Sequence, residues 1–361
     1  MRRGLLAAVA LTGLAEALYS VPLSWSILEE TGSPLAVGLA EALYSAPWVL
    51  LAPAAGRAVD ALGWRRASAV GVLASSAILA LSTLSRDPTV RLAAALALSA
   101  AGMLYWYGEE ASAPEAGPTQ RTLSAVYLAG AVSYSVGASA SGLVSELAGS
   151  EVCLLTAAAV FLASLPAVAS LPPRPASDRG GRRAPLDPAV RRLVAVGAVG
   201  NLAFSAGRAV WLPALGGPSA YGLTLAAASL GGAAALALGL AVGLGRRAGV
   251  TVSVLFSLEG LASAAVPSLG PAAGAAVGLT GHLASLAFRT LLQERTPGEA
   301  RAGTLSAVDS VLMSTYAVGC LVGGLAAEEA PPPQVVLASG LLAALAALSG
   351  LAFEEVRGAS Y

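Results

Sequence analysis

Long apolar segments alternate with short polar breaks along the whole chain. A helix needs about 20 apolar residues to cross a bilayer, and twelve segments come close to or exceed that length. The pattern predicts an all-α, polytopic membrane protein with twelve transmembrane helices, called spans 1 to 12. The predicted spans are residues 4–27, 34–57, 67–85, 91–108, 121–146, 151–172, 191–213, 219–245, 249–267, 271–293, 303–327 and 334–353.

Composition agrees with this class. Hydrophobic residues make up 56% of the 361 residues and charged residues only 12%, whereas a soluble domain has roughly 25% charged residues. The first apolar segment follows Arg2 and Arg3 as in a signal peptide, but further apolar spans follow it, so we interpret it as span 1. A net charge of zero without a long basic tract argues against nucleic acid as a partner. The two cysteines lie in apolar segments, so we expect no disulfide framework, metal site or cofactor.

An internal repeat divides the chain. The segment TLSAVYLAGAVSYSVGASASGLVSE begins at Thr122, and TLSAVDSVLMSTYAVGCLVGGLAAE begins at Thr304, an offset of 182 residues. The later identities include a tyrosine, two glycines and a glutamate in register. An offset of half the chain predicts two homologous six-helix halves, residues 1–172 and 191–361. The segment 173–190, rich in proline, glycine and arginine, is predicted to be the linker between them.

Arginine placement predicts the orientation. All 21 basic residues are arginines. If the amino terminus lies in the cytoplasm, 17 of them fall in cytoplasmic segments and two in loops on the outer side of the membrane. Inside loops of membrane proteins are enriched in basic residues. We therefore expect a multi-pass protein of the cell membrane with both termini in the cytoplasm.

The polar stretch GRAVDALGWRR, Gly56–Arg66, lies between spans 2 and 3 and is predicted to be a loop at the membrane surface. It resembles the loop G-x-x-x-D-[RK]-x-G-[RK]-[RK] of major facilitator superfamily transporters. Ala61 and Trp64 depart from that pattern. The segment from Thr31 to Asp60 is similar to helix 2 of the branch that holds many exporters. The resemblance makes five residues of the stretch candidates for gating: Gly56, Asp60, Gly63, Arg65 and Arg66.

The resemblance implies that spans 1, 4, 7 and 10 line a central cavity and that spans 2, 5, 8 and 11 form its sliding walls. Asp60 would meet the amino end of span 11, near Gly303 and Thr304, when the cytoplasmic side is closed. The function implied is monomeric, secondary active export of a small amphipathic or organic compound, coupled to protons. Span 5 lacks the G-P-x-x-G-G motif of drug–proton antiporters, since residues 137–142 read GASASG. An uptake carrier for a metabolite, and a lipid scramblase or sensor that transports nothing, stay open as alternatives.

Ionisable groups inside the spans are candidates for substrate or proton binding, because each costs a few kcal/mol or more at the bilayer centre. The heptapeptide LAEALYS occurs in spans 1 and 2, and it places Tyr19 and Tyr44 three residues after Glu16 and Glu41. That spacing puts carboxylate and hydroxyl on one helix face. The pair either titrates protons or binds substrate in the cavity, or each carboxyl is buried and hydrogen-bonded to its own tyrosine.

Further candidates are weaker. Arg208 would pair with Glu16, bind an anionic substrate, or extend to the outer interface. Asn201 is a candidate for orienting a ligand and His282 for proton coupling or a structural role. Asp309 is a candidate because it replaces Tyr127 of the first repeat. Two glutamates at the cytoplasmic end of span 4, Glu109 and Glu110, are interpreted as a solvated loop edge, with attraction of cations as the alternative. Glu259 of span 9 has no predicted role.

Catalytic chemistry is not expected. The sequence has neither H-E-x-x-H nor G-x-S-x-G, and a single histidine cannot form a histidine-rich metal site. The partners that remain are a small-molecule substrate, protons and the lipid bilayer.

Overall fold

The computed structural model describes residues 2–113, 119–171, 188–241, 248–294 and 301–358. These ranges contain fifteen helices and no strand. In chain order the helices are α1 (Arg2–Thr31), α2 (Pro34–Leu50), α3 (Ala52–Leu62), α4 (Trp64–Ser82), α5 (Pro88–Ser112), α6 (Thr119–Ala148), α7 (Ser150–Ala169), α8 (Pro188–Ala209), α9 (Trp211–Leu215), α10 (Pro218–Ala241), α11 (Ala248–Ala264), α12 (Val266–Leu269), α13 (Pro271–Glu294), α14 (Arg301–Glu329) and α15 (Pro332–Gly358).

Each predicted span has a helix at its place, which confirms the all-α prediction. The short helices α9 and α12 continue spans 7 and 9 after a break. Seven of the described helices are long and apolar enough to cross a bilayer, and the bent pair α2–α3 makes eight. The predicted linker lies outside the described residues except for its last three, which begin α8.

Span 2 is not the single helix that the sequence predicts. It breaks at Leu51, and α3 is bent by 62° from α2. Pro53, the second residue of α3, favours the break because its ring clashes with the carbonyl four residues earlier and it lacks an N–H to donate. The Leu51 N–H ends α2 by donating to the carbonyl of Pro47 at 2.7 Å.

The motif stretch Gly56–Arg66 is not a loop, and that prediction is wrong. Most of its residues continue α3 or begin α4, and only Gly63 between them is non-helical. Gly63 has φ +78°, a conformation that favours glycine. The helix is compatible with a membrane surface because α3 buries Val59 and exposes Asp60. Arg65 donates from Nε and Nη2 to the carbonyl of Leu171, at 2.9 and 2.8 Å, and so joins α4 to the end of α7.

Tight turns between successive helices give the bundle two ends. The end that carries Gly56–Arg66 is called here the motif end, and the other the opposite end. A cluster of buried side chains joins α1 and α6 to α8–α15 towards the opposite end, including Val21, Ala138, Trp211, Tyr221 and Val336. Two larger clusters lie within α1–α7 and within α8–α14. A small cluster joins α3 to α4, and another joins α2 to α14 and the end of α8. Packing between the early and late helices is therefore concentrated at the opposite end.

Two glycine crossings hold that end closed. On α2, a Cβ built at Gly38 would meet the Cys320 carbonyl and lie 3.1 Å from the Gly324 Cα of α14. On α10, a Cβ at Gly222 would meet the Ala138 carbonyl and lie 3.1 Å from the Gly142 Cα of α6. Gly142 and Gly324 are related by the repeat offset of 182 residues. Helix backbones approach this closely only where side chains are absent.

A carboxylate adds to the α2–α14 crossing. Glu328, near the end of α14, accepts hydrogen bonds from the Ser33 hydroxyl and, at 3.0 Å, from the Leu35 N–H. These donors lie at the amino end of α2, where backbone N–H groups lack partners within the helix. Glu328 therefore caps α2 and fastens it to α14.

A buried arginine near the opposite end predicts a stability effect. Arg91 is 1% exposed, and its Nη2 lies 3.5 Å from Glu151 Oε1, which also pairs at 3.3 Å with Nε of the exposed Arg86. Removing one partner of a buried ion pair costs about 3–5 kcal/mol because it leaves an unpaired buried charge. We expect that loss for Glu151→Ala in unfolding of the detergent-purified protein by denaturant. Arg86→Ala should cost less than about 1 kcal/mol, since exposed pairs contribute little.

The double variant Arg91→Met with Glu151→Ala provides the control. It removes the charge as well as its partner, so it should recover most of the stability lost in Glu151→Ala. Equal losses in the single and the double variant would show that Glu151 stabilises the protein by another contact.

Candidate functional site

Tyrosines mark the interior of the bundle. The chain has nine tyrosines, and Tyr361 lies outside the described residues. The other eight all lie on helices of spans 1, 2, 4, 5, 8 and 11, which the resemblance assigns to the cavity and its walls. They are Tyr19, Tyr44, Tyr105, Tyr107, Tyr127, Tyr134, Tyr221 and Tyr316. Only Tyr19 and Tyr44 are among the site residues predicted from the sequence.

Glu16 lies at the centre of the first group of polar side chains. The Tyr44 hydroxyl of α2 donates to Glu16 Oε1 at 2.8 Å, and the Tyr19 hydroxyl lies 3.3 Å from that of Tyr44. The Glu16 carboxyl is therefore bonded to the tyrosine of the other heptapeptide, and the alternative of a bond to its own tyrosine is not formed. A tyrosine side chain is longer than a glutamate side chain. The Tyr44 hydroxyl therefore extends beyond Glu41, one turn away on α2, and reaches Glu16 on α1.

Glu109 is a buried member of the same group. It is 4% exposed, and the Thr12 hydroxyl lies 3.2 and 3.3 Å from its two carboxyl oxygens. It is within electrostatic range of Glu16. The interpretation of Glu109 as a solvated loop edge is wrong, because α5 continues to Ser112 and carries this residue inward. Its spacing of four residues from Tyr105, on one helix face, is the signal that identifies it.

A second group surrounds Arg208 in the last turn of α8. Its Nη1 donates to the Tyr221 hydroxyl at 2.8 Å, and its guanidinium carbon lies 4.8 Å from the centre of the Trp211 ring. Glu41 and Tyr316 are within electrostatic range. Among the described residues no carboxylate lies within 4.0 Å of Arg208, so the predicted pair with Glu16 is not formed. Arg208 is half-buried over buried Trp211, so it does not extend to an interface.

A third group lies nearer the motif end. The Tyr127 hydroxyl donates to Glu110 Oε1 at 2.9 Å, and Arg289 Nη2 pairs with Asp309 Oδ1 at 3.3 Å. Tyr127 and Asp309 are equivalent in the repeat and now have different partners. The Arg289 and Asp309 side chains are 55% and 45% exposed, so their pair adds little stability. A cavity of about 300 Å³ opens here, lined by Gly56, Val59, Asp60, Tyr107, Glu110 and Ala111.

The remaining candidates lie outside these groups. The Asn201 amide donates to the Leu312 carbonyl at 2.7 Å and thereby joins α8 to α14. His282 is exposed, and its Nδ1 lies 2.9 Å from the Gly278 carbonyl of its own helix. Glu259 of α11 is half-buried beside α13. The contact predicted between Asp60 and the amino end of span 11 involves side chains outside the described residues.

Comparison with known proteins identifies the family. The sequence model of the Major Facilitator Superfamily matches residues 5–249, more than half of the chain. The chain belongs to the major facilitator superfamily. This confirms the resemblance seen in the motif stretch and makes the chain a multi-pass membrane protein with the fold of these transporters. Its branch within the superfamily is not identified by the match.

Solved structures of the superfamily share this fold. A point mutant of the nucleoside transporter NupG matches with a TM-score of 0.74 and 14% identity, over 97% of this chain and 99% of that one. NupG itself matches with 0.70 and 14%, over 97% and 98%. The human organic anion transporter MFSD10 (TETRAN) matches with 0.67 and 14%, over 97% of both chains. No curated protein matches in sequence. At 14% identity these likenesses show the fold and not the substrate.

Proposed function

We propose that this protein is a secondary active transporter that exports a small organic compound in exchange for protons. One observation carries the proposal: Glu16, midway along α1, is a partly accessible carboxyl with a hydrogen bond to Tyr44 and no cation within ion-pair distance among the described residues. A charge at this depth is costly, and its cost depends on the water that reaches it. A motion that changes the hydration of Glu16 therefore also changes its affinity for a proton.

Glu109 supports the same role. It is a second carboxyl within electrostatic range of Glu16, and its partner among the described side chains is the hydroxyl of Thr12. Two interacting carboxyls titrate as a pair, so the charge on one alters proton binding by the other. We assign Glu16 as the main proton site and Glu109 as the group that tunes it.

The moving parts in this proposal are the two halves, residues 1–172 and 191–361, joined by the linker 173–190. The structure is packed at the opposite end and has a cavity at the motif end. That cavity is lined by α3 and α5 of the first half. With the orientation predicted from arginine placement, the motif end faces the cytoplasm, and substrate would enter between the halves from there. Opening to the other side would require α2 to separate from α14, and α6 from α10, where the glycines cross. The protein would do this as a monomer in the cell membrane.

Transport in liposomes tests the proposal. Purified protein is reconstituted with a pH-sensitive dye inside, and a panel of organic anions, cations and neutral compounds is added in turn. We expect some compounds to drive proton flux, and a reversed pH gradient to reverse their movement. Movement at equal rates with and without a pH gradient would contradict proton coupling and favour an uncoupled carrier. Movement of labelled lipid in place of solutes would favour the scramblase alternative.

A further inference from the structure

Among the described residues, most N–H donors of the Arg208 side chain have no hydrogen-bond partner. An arginine side chain carries five N–H donors, and among the described residues its one hydrogen-bond partner is the Tyr221 hydroxyl. The residue is half-buried, and none of its nitrogens is among the buried atoms that lack a partner. Its free N–H groups are therefore accessible from the interior space and not sealed in the packing.

The charge of Arg208 is not matched at contact distance. Glu41 is within electrostatic range but not within the 4.0 Å of an ion pair, and Glu16 is also beyond that distance, although Tyr134 is within electrostatic range of both Glu16 and Arg208. Burying a cation without an anion in contact is costly. The arrangement favours an anion from outside the chain. A planar carboxylate fits best because a guanidinium can bind both of its oxygens at once.

Aromatic rings surround this cation. Trp211 lies under the guanidinium and is packed edge-on by Phe204, with ring centres 6.4 Å apart. The Tyr221 ring lies 5.5 Å from the guanidinium, and Tyr316 is within electrostatic range. Trp211 and Tyr221 are buried and hold the guanidinium in place. Tyr316 is half-buried and packs beside Ala209, so its ring can contact the body of a bound anion, and an aromatic body packs on a ring better than an aliphatic one. The negative charge of Glu41 would repel a second negative charge on the ligand, so the site favours a monoanion.

We propose that Arg208 and Tyr316 form a binding site for an aromatic monocarboxylate, with the carboxylate on Arg208 and the ring against Tyr316, while the buried Trp211 and Tyr221 position the guanidinium. This names the substrate class of the transporter proposed above, and the inference rests on that proposed function. Phenylacetate is a suitable probe because it combines one carboxylate with one ring. Acetate lacks the ring, benzamide is a neutral aromatic compound and benzylamine is a cationic one.

Calorimetric titration of the detergent-purified protein tests the site. We expect phenylacetate to bind, and acetate, benzamide and benzylamine to bind at least tenfold more weakly. Hydrogen bonds to a charged partner imply a loss of about 10–100-fold for Arg208→Gln. Arg208→Lys keeps the charge without the planar guanidinium. Its affinity for phenylacetate should lie between those of the unchanged protein and Arg208→Gln. Arg86→Gln, which changes an exposed arginine that pairs with Glu151, should bind like the unchanged protein.

The outcomes separate this inference from the proposed function. Benzamide binding as tightly as phenylacetate, or undiminished phenylacetate binding in Arg208→Gln, would overturn the inference. If Arg208→Gln does not fold, undiminished binding in Arg208→Lys together with equal binding of benzamide would overturn it as well. Arg208-dependent binding without movement across liposomes would support the site and contradict transport. Proton-coupled transport of a neutral compound, unchanged in Arg208→Gln, would support the proposed function and contradict the site.

Discussion

The variant Glu16→Gln is expected to lose pH-dependent transport completely while keeping its fold. Glutamine has nearly the same shape as glutamate, and its amide oxygen can accept the hydrogen bond that Tyr44 donates to Glu16 at 2.8 Å. It has no proton to exchange near neutral pH, so an imposed pH gradient can no longer drive substrate through this site. We expect accumulation in liposomes to fall to the level of protein-free liposomes when the gradient is the driving force.

Two further variants make that loss specific. Glu146→Gln changes an exposed glutamate at the opposite end, and it should transport like the unchanged protein. Tyr44→Phe removes the hydrogen bond but keeps the carboxyl, so transport should stay pH-dependent with a displaced pH profile. Unfolding temperatures measured in detergent should agree among all variants. Full pH-dependent transport in Glu16→Gln would remove Glu16 from the mechanism and make Glu109→Gln the next variant to measure.

The positions of the helices follow from the sequence because the bilayer imposes one length and one polarity on every span. Breaks within spans are harder to predict. Pro22 lies inside α1, which continues without a break to Thr31, whereas span 2 breaks at Leu51 before Pro53. A proline always removes one hydrogen bond, but neighbouring helices decide whether the chain bends there. Charge alone does not distinguish the helical form of the motif stretch from a loop, because an amphipathic surface helix also carries charge.

Contacts within the site are likewise only partly predictable from the sequence. The two copies of LAEALYS identify Glu16 and Tyr44 as candidate site residues of spans 1 and 2, because polar groups inside a span are costly and mark functional sites. Which tyrosine bonds to Glu16 depends on how α1 and α2 are rotated against each other, and no local pattern encodes that rotation. Glu109 lies one residue beyond the predicted end of span 4, whereas α5 continues to Ser112. An error of a few residues at a helix end is therefore enough to place Glu109 outside the membrane. For Arg208 the sequence leaves three alternatives: the ion pair with Glu16 is not formed among the described residues, and packing on Trp211 argues against extension to the interface.

The second large effect is expected from Gly38→Val, which should open the opposite end of the bundle. A Cβ at Gly38 would meet the Cys320 carbonyl and the Gly324 Cα in the structure described here. Overpacking of this kind costs about 1–3 kcal/mol. That cost arises only while α2 and α14 cross, so it acts on the closed state alone. A difference of 1–3 kcal/mol between two states shifts their ratio by about 5–150-fold.

Distances across the opposite end measure that shift. Spin labels at Glu29 and Glu329, both exposed at this end, report the separation of α1 from α14, and the native cysteines are buried. We expect Gly38→Val to increase the population with the longer distance. Gly222→Val should act in the same way, because its contact with Gly142 is related to the first crossing by the repeat.

Gly197→Val in α8 is the matched control, since a Cβ there meets nothing within 4 Å, and its distance distribution should be unchanged. An unchanged distribution in both Gly38→Val and Gly222→Val would mean that the helices tolerate side chains at the crossings. The glycine crossings would then not determine which end of the bundle is closed, and closure of the opposite end would have to come from the cluster around Trp211 and from Glu328.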